Sequence, residues 1–240
     1  TACYGPGFGA NYWNNSFSLR FAAHQPEYGL FTKEASFKND TWGAALRGIW
    51  APVNTDDMTV TVGFSISTQK TSQPVAFLAG PEVSARKDIT TLNTGDLSVS
   101  HYEVYAGELS AKFNALLVEG EYLLNKVTEA KDKDLTFGGG YGQVSYFITG
   151  SPYAFNLRDA AYSIPATQKD AWQVAFRTSF LDLNDKLVSG GEETDYSLAL
   201  NWYPERNIRW SLNYIYGDVT NYYKTEQTVH ALSTRLQLTW

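Results

Sequence analysis

Apolar and polar side chains alternate along most of this chain, and the alternation is sharpest at its C-terminus. From Val229 onward one face carries Leu232, Thr234, Leu236, Leu238 and Trp240, and the other Ala231, Ser233, Arg235, Gln237 and Thr239. Successive strand side chains point to opposite faces, so this is a ribbon with one greasy side and one wet side. It ends on an aromatic residue, as outer-membrane β-barrels do. The edge strand of a soluble sandwich would alternate in the same way.

The same period recurs upstream, each segment bounded by turn residues. It predicts strands at Gly7–Trp13, Ser16–His24, Thr41–Ala51, Met58–Thr68, His101–Lys112, Ala115–Lys126, Gly138–Thr149, Ala171–Leu181, Thr194–Tyr203, Asn207–Asp218 and His230–Trp240. That makes eleven strands and no amphipathic helix of three turns. Short turns (Asn14–Asn15, Pro52–Asp57, Phe113–Asn114, Pro204–Arg206) alternate with long polar stretches at Gln25–Asp40, Gln69–Ser100, Val127–Phe137, Asp182–Glu193 and Val219–Val229. Tight turns on one side and long loops on the other are the habit of outer-membrane barrels. Gly150–Asp170 breaks the rule, because it is long where a short turn belongs. No repeat or low-complexity linker divides the chain, so residues 1–240 read as one domain.

Assigning faces brings out further features. Trp172, Val174, Phe176 and Phe180 share a side, as do Tyr196, Leu198, Leu200 and Trp202, and Ile208, Trp210, Leu212 and Tyr214. Trp202, Trp210 and Trp240 then lie near the short-turn ends of neighbouring strands, forming one level of an aromatic girdle. The composition agrees: aromatics make up 15% and charged residues only 18%. Mean hydropathy is −0.31, which suits a barrel whose wet face offsets its greasy one. The longest apolar runs are too short for a membrane-spanning helix. Thr1 is not followed by a basic region and an apolar stretch, so no signal peptide is expected here. Cys3 is the single cysteine, which rules out an internal disulfide. A net charge of −6 argues against nucleic acid as a partner.

Several motifs match a known family. Gly190-Gly191 through Tyr196-Ser-Leu-Ala-Leu-Asn-Trp-Tyr-Pro204, followed by Asn207-Ile-Arg-Trp-Ser-Leu-Asn-Tyr214, resembles the penultimate hairpin of the phosphate-selective porins O and P. Tyr141-Gly-Gln-Val-Ser-Tyr-Phe-Ile-Thr-Gly150 resembles a strand of that family, and Ala171-Trp through Phe180-Leu-Asp-Leu-Asn-Asp185 its following strand and loop. Trp50-Ala-Pro-Val53 and Leu116 to Tyr122 also fit, so the matches run in order from about Thr41 to the C-terminus. The resemblance implies an antiparallel, transmembrane, sixteen-stranded porin of the Gram-negative outer membrane, embedded in lipid and assembled as a homotrimer. It also implies that this chain corresponds to the later two-thirds of such a porin. Single-chain bacterial barrels have an even strand number, so eleven strands lead to the same expectation. Further N-terminal strands, or a complementary fragment, would pair with Gly7–Trp13.

Five arginines lie well inside predicted strands, and all share the wet face: Arg20, Arg47, Arg177, Arg209 and Arg235. Stability alone would put them there, since an arginine facing mid-membrane lipid costs about 2–4 kcal/mol. The choice of residue says more, because among lysines only Lys112 and Lys126 fall in these strands. Guanidinium groups offer a planar fork to phosphate or carboxylate, and rows of them line anion pores. Glu108, Glu119 and Glu121 share the lumen, so the arginines act either as an anion path or as partners of these carboxylates. No nucleophile–base set or metal-ligand spacing stands out, and Gly138-Gly-Gly-Tyr-Gly142 opens a strand rather than a helix, which excludes a nucleotide loop. The expected function is passive diffusion of small anions such as phosphate, with no catalysis, cofactor or metal. A non-conducting barrel that scaffolds partner proteins is the alternative, and a soluble β-sandwich binding module is a third.

Overall fold

The computed structural model describes residues 7–24, 42–71, 74–79, 90–129, 134–149, 153–164 and 169–239. Its strands are β1 (Gly7–Trp13), β2 (Phe17–His24), β3 (Trp42–Asn54), β4 (Met58–Lys70), β5 (Leu78–Ala79), β6 (Leu92–Asn93), β7 (Val99–Phe113), β8 (Leu116–Glu129), β9 (Asp134–Phe147), β10 (Ala154–Asn156), β11 (Ala161–Ser163), β12 (Ala171–Asp185), β13 (Val188–Glu205), β14 (Ile208–Thr220) and β15 (Glu226–Leu238). Eleven of them form one antiparallel sheet in chain order, β1-β2-β3-β4-β7-β8-β9-β12-β13-β14-β15. Among the described residues the sheet is open, with β1 and β15 as its edges. The remaining four form two small hairpins, β5–β6 and β10–β11.

The pairing register carries one polar face across the sheet. Arg20 pairs with Arg47, Glu108 with Glu121, Glu119 with Gln143, Gln143 with Arg177, Asn201 with Ser211 and Ser211 with Arg235. Registered residues share a face, so these side chains project together. The opposite face is an apolar band in which Phe64, Leu109, Leu198 and Leu236 are each more than half exposed. A sheet in water does not leave such a surface bare, whereas lipid covers it at no cost. Rings cap the band at both ends. At the short-turn end Phe17 stacks on Trp50 and Trp172 on Trp202, the latter with centroids 5.5 Å apart, and Trp202 is in register with Trp210. At the other end Tyr122 meets Phe180, and Tyr196 meets Tyr216, which meets His230. Six residues separate Tyr196 from Trp202, about 20 Å of strand. Trp240, the third member of the expected girdle, lies outside the described residues, as do Cys3 and the Gln25–Asp40 stretch.

Several connections differ from the sequence-based expectation. Val127–Phe137, Asp182–Glu193 and Val219–Val229 were expected as long loops, yet most of their residues continue the strands. The β12–β13 turn shrinks to Lys186 and Leu187. The reason lies on the outer face, where Asp182, Glu192, Asp218 and Glu226 replace apolar residues beyond the upper rings. Alternation therefore fades there while the backbone ladder goes on. Gln69–Ser100, expected as a polar outer loop, instead sends Val75, Phe77, Leu92 and Leu97 onto the polar face. There they pack with Val127, Leu135, Phe137, Leu183 and Val219 from the sheet. From the opposite end, the irregular Gly150–Asp170 stretch brings Tyr153, Tyr162 and Ile164 against Leu117, Phe147, Ala171 and Tyr203.

A single-residue substitution pair tests the face assignment. Leu198→Arg is expected to lower stability by about 2–4 kcal/mol, with Ser197→Arg far milder. Urea unfolding in lipid vesicles measures both. The reverse ranking would mean that the register is slipped by one residue and the faces exchanged.

Candidate functional site

Arg47 sits mid-way along β3 and Glu108 mid-way along β7, with β4 between them. They meet across β4 because position 63 is glycine. A Cβ there would stand 2.4 Å from Glu108 Cγ and 2.4 Å from Ile49 Cδ1. Over that gap Arg47 donates from Nε to Glu108 Oε1 at 2.7 Å and from Nη2 to Oε2 at 2.6 Å. This two-point, fork-on-fork pair is the strong form of a guanidinium–carboxylate contact.

The third Arg47 donor, Nη1, reaches the backbone carbonyl of Ala160 at 3.2 Å. Its strand neighbour Arg20 donates from Nη2 to the carbonyl of Arg158 at 2.6 Å. Both acceptors belong to the bend joining β10 to β11, so this hairpin crosses the polar face from β9 and β12 as far as β2 and β3. The Arg158 guanidinium lies over the Trp13 ring, extending the reach to β1. Ala160 holds φ at +46°, a left-handed conformation that costs a residue with a Cβ about 1–2 kcal/mol. At its base the hairpin is held more broadly. Tyr153 shares a hydrogen bond with Ser145 at 2.7 Å and accepts one from Gln173, while Tyr162 bonds Ser110 at 3.0 Å. Buried Lys112 donates to the carbonyls of Asp56 at 2.6 Å and Tyr153 at 3.3 Å. Burial pushes the Tyr153 and Tyr162 phenols above their ordinary pKa, and their hydrogen bonds offset part of that rise.

Two further arginines contact polar side chains of the wall. Arg177 lies 3.9 Å from the Tyr141 ring centroid and donates to Gln143 Oε1 at 3.4 Å. Gln143 in turn donates to Glu119 at 2.5 Å, completing a polar chain from β8 to β12. Arg209 donates to Asn201 Oδ1 at 2.9 Å, and Asn201 donates to Gln173 at 2.8 Å.

The sequence-predicted residues therefore fall into groups. Arg47, Arg209, Glu108, Glu119 and Glu121 line one cavity of about 800 Å³, together with Gln143, Gln173 and Asn201. Strands from β3 round to β14 contribute to it, so the sheet curls around its polar face. Arg177 lines a second cavity of about 440 Å³ beneath the β5–β6 insertion, bounded by Phe77, Tyr102 and Phe137. Arg20 stands beside the hairpin bend, and Arg235 is exposed on edge strand β15. Trp202 and Trp210 are in register with each other and line neither cavity. Sequence reasoning missed Tyr153 and Tyr162, whereas Gln173 and Asn201 stand on the inward face that their parity predicts. The available signal was the misplaced length of Gly150–Asp170; the carbonyls that engage Arg20 and Arg47 have no signature in residue identities.

Gly63→Val is expected to cost about 1–3 kcal/mol by overpacking and to push Glu108 away from Arg47. Urea unfolding gives the first effect. A Glu108→Gln change on the Gly63→Val background gives the second, and it should add almost nothing. A full additional loss would mean that the pair forms without the glycine gap.

Comparison with known proteins adds the following. The family described as phosphate-selective porin O and P matches residues 2–240, so the match takes in β1 and β2 as well as the region from Thr41 onward. An uncharacterized protein of Caulobacter vibrioides is 36% identical over 84 residues, covering 33% of this chain and 17% of that protein. The aligned stretch thus spans well under two-thirds of the relative's own length.

Proposed function

The chain belongs to the phosphate-selective porin O and P family, and we propose that it forms wall of an outer-membrane porin through which small anions such as phosphate diffuse passively. The observation that carries this reading is the distribution of guanidinium groups. Arg20, Arg47, Arg177, Arg209 and Arg235 all project from the concave polar face, whose reverse is an apolar band capped by rings. Solute crosses a water-filled lumen, and these charges lower the barrier for negative species. The family is one of channels, and the lumen needs no catalytic group to act as one.

The carboxylates set the strength of the preference. Glu108 neutralises Arg47 directly, and Glu119 and Glu121 face the same cavity. Arg209, held by the amide of Asn201, keeps its charge for solute. The selectivity is accordingly modest rather than absolute. Among partners we propose outer-membrane lipid on the apolar band and a homotrimeric assembly. Strands beyond the eleven would close the sheet. With eleven alternating strands β1 and β15 run in the same direction, so antiparallel closure takes an odd number of additional strands. In hydrocarbon each unmet backbone group on those edges costs several kcal/mol.

Replacing Arg177, Arg209 and Arg235 together with Gln is expected to move the reversal potential in a salt gradient toward cation preference and to weaken block by phosphate. Planar-bilayer recording measures both quantities. An unchanged potential would assign these arginines to charge neutralisation alone. Absence of any single-channel conductance would favour a scaffolding barrel whose lumen is filled by its insertions.

A further inference from the structure

Arg20 and Arg47 face each other across the β2–β3 pair, on the same side of the sheet. Like charges directly opposite one another repel. Glu108 balances Arg47, but among the described residues no carboxylate lies within ion-pair distance of Arg20. The acceptors facing this pair are instead backbone carbonyls, of Arg158 at 2.6 Å and of Ala160 at 3.2 Å. Arg20 Nε is buried and finds no acceptor among the described residues. Three N–H groups are therefore at issue: Arg47 Nη1 and Arg20 Nη2, which reach the hairpin bend, and Arg20 Nε beside the latter on the same guanidinium. Two are met by neutral oxygens and one is unmet.

We propose that Arg20 and Arg47 form an oxyanion site whose seats are held by carbonyls of the protein's own β10–β11 hairpin, so that an arriving oxyanion displaces the bend and releases the hairpin from β2 and β3. The site is an anion-exchangeable latch. A charged oxygen adds a charge–charge attraction to the guanidinium that a neutral carbonyl lacks, and a phosphate has enough oxygens to satisfy Nε as well. The displaced carbonyls turn to lumen water, and Ala160 is freed from its left-handed conformation. Arg47 keeps Glu108 on its other two nitrogens, so the wall stays intact while the bend leaves. Tyr153, Lys112 and Tyr162 anchor the base of the hairpin, which confines the movement to its tip. The permeating species would thereby widen its own path, because the hairpin occupies the short-turn end of the lumen.

This inference rests on the anion-porin reading, and its test separates the two. Leu157, in the bend, is 6% exposed. In the full chain with Cys3→Ser, a Leu157→Cys reporter should react with a membrane-impermeant maleimide about tenfold faster in inorganic phosphate than in chloride at equal ionic strength. That factor corresponds to about 1.4 kcal/mol of lost latch contact. Adding Arg20→Gln should give fast labelling in both salts. Should that variant fail to fold, the salt comparison on the arginine-intact reporter still decides. In the unsubstituted chain, phosphate should also raise the occupancy of a larger conductance level. Equal labelling rates in the two salts, alongside a reversal potential that still favours anions, would overturn the latch and leave the porin reading standing. Phosphate-dependent labelling without anion preference would do the opposite.

Discussion

Everything in this molecule follows from one constraint: backbone that crosses hydrocarbon must satisfy its own hydrogen bonds. A chain with no long apolar helix meets it with paired strands, and paired strands divide side chains into two faces with period two. The apolar band of Phe64, Leu109, Leu198 and Leu236 exists because one face meets lipid. The charged face exists because the other does not. Arginine, glutamate and glutamine then gather on the inner wall, since the lipid face would penalise each of them heavily. A functional surface is thus concentrated before any selection for a particular solute. The identity and pairing of those charges is what remains to distinguish one channel from another.

How much of this was legible depends on whether the signal is local. The faces of β12, β13 and β14 could be read directly, because Trp172, Phe176, Leu198 and Trp210 alternate with Gln173, Arg177, Ser197 and Arg209 without interruption. Strand ends were less legible. Past Tyr196 and Phe180 the outer face turns acidic, and the contrast that marks a strand disappears although Glu192 and Asp182 still pair in register. The fold of Gln69–Ser100 was not legible either. Its apolar residues are spread among polar ones, and their target, the cluster around Phe137 and Leu183, lies on strands far along the chain.

Residue types at the site could be identified from sequence, but their partners could not. That Arg47, Glu108 and Glu119 share a lumen follows from parity. That Arg47 binds Glu108 across an intervening strand depends on Gly63, whose role becomes visible only when the β3–β4–β7 register is known. The contacts of Arg20 and Arg47 with Arg158 and Ala160 are further out of reach. A backbone carbonyl is the same at every position, so nothing in the one-dimensional pattern marks those two. The single warning was a length, twenty-one residues from Gly150 to Asp170 where parity called for a tight turn.

The inner wall itself encodes where its insertions settle. The inward residues of β9 read Leu135, Phe137, Gly139, Tyr141, Gln143, Ser145 and Phe147, apolar at both ends and polar between. On β8 they read Leu117, Glu119, Glu121, Leu123, Asn125 and Val127, and on β12 Ala171, Gln173, Ala175, Arg177, Ser179, Leu181 and Leu183. In a water-filled lumen an inward Phe137 or Phe147 is unfavourable unless something covers it, at about 25 cal/mol per Å² of apolar surface. The β5–β6 insertion covers one end through Phe77 and Leu92, and the β10–β11 hairpin covers the other through Tyr153. Only the bend of the β10–β11 hairpin advances to the middle, where it offers carbonyl oxygens to Arg20 and Arg47, since burying Glu119, Glu121 or Arg209 without full compensation would be costly. The rest of the charged belt is therefore left open by the same energetics that seat the insertions, and in the channel proposed above solute would meet it where the lumen is narrowed from both sides.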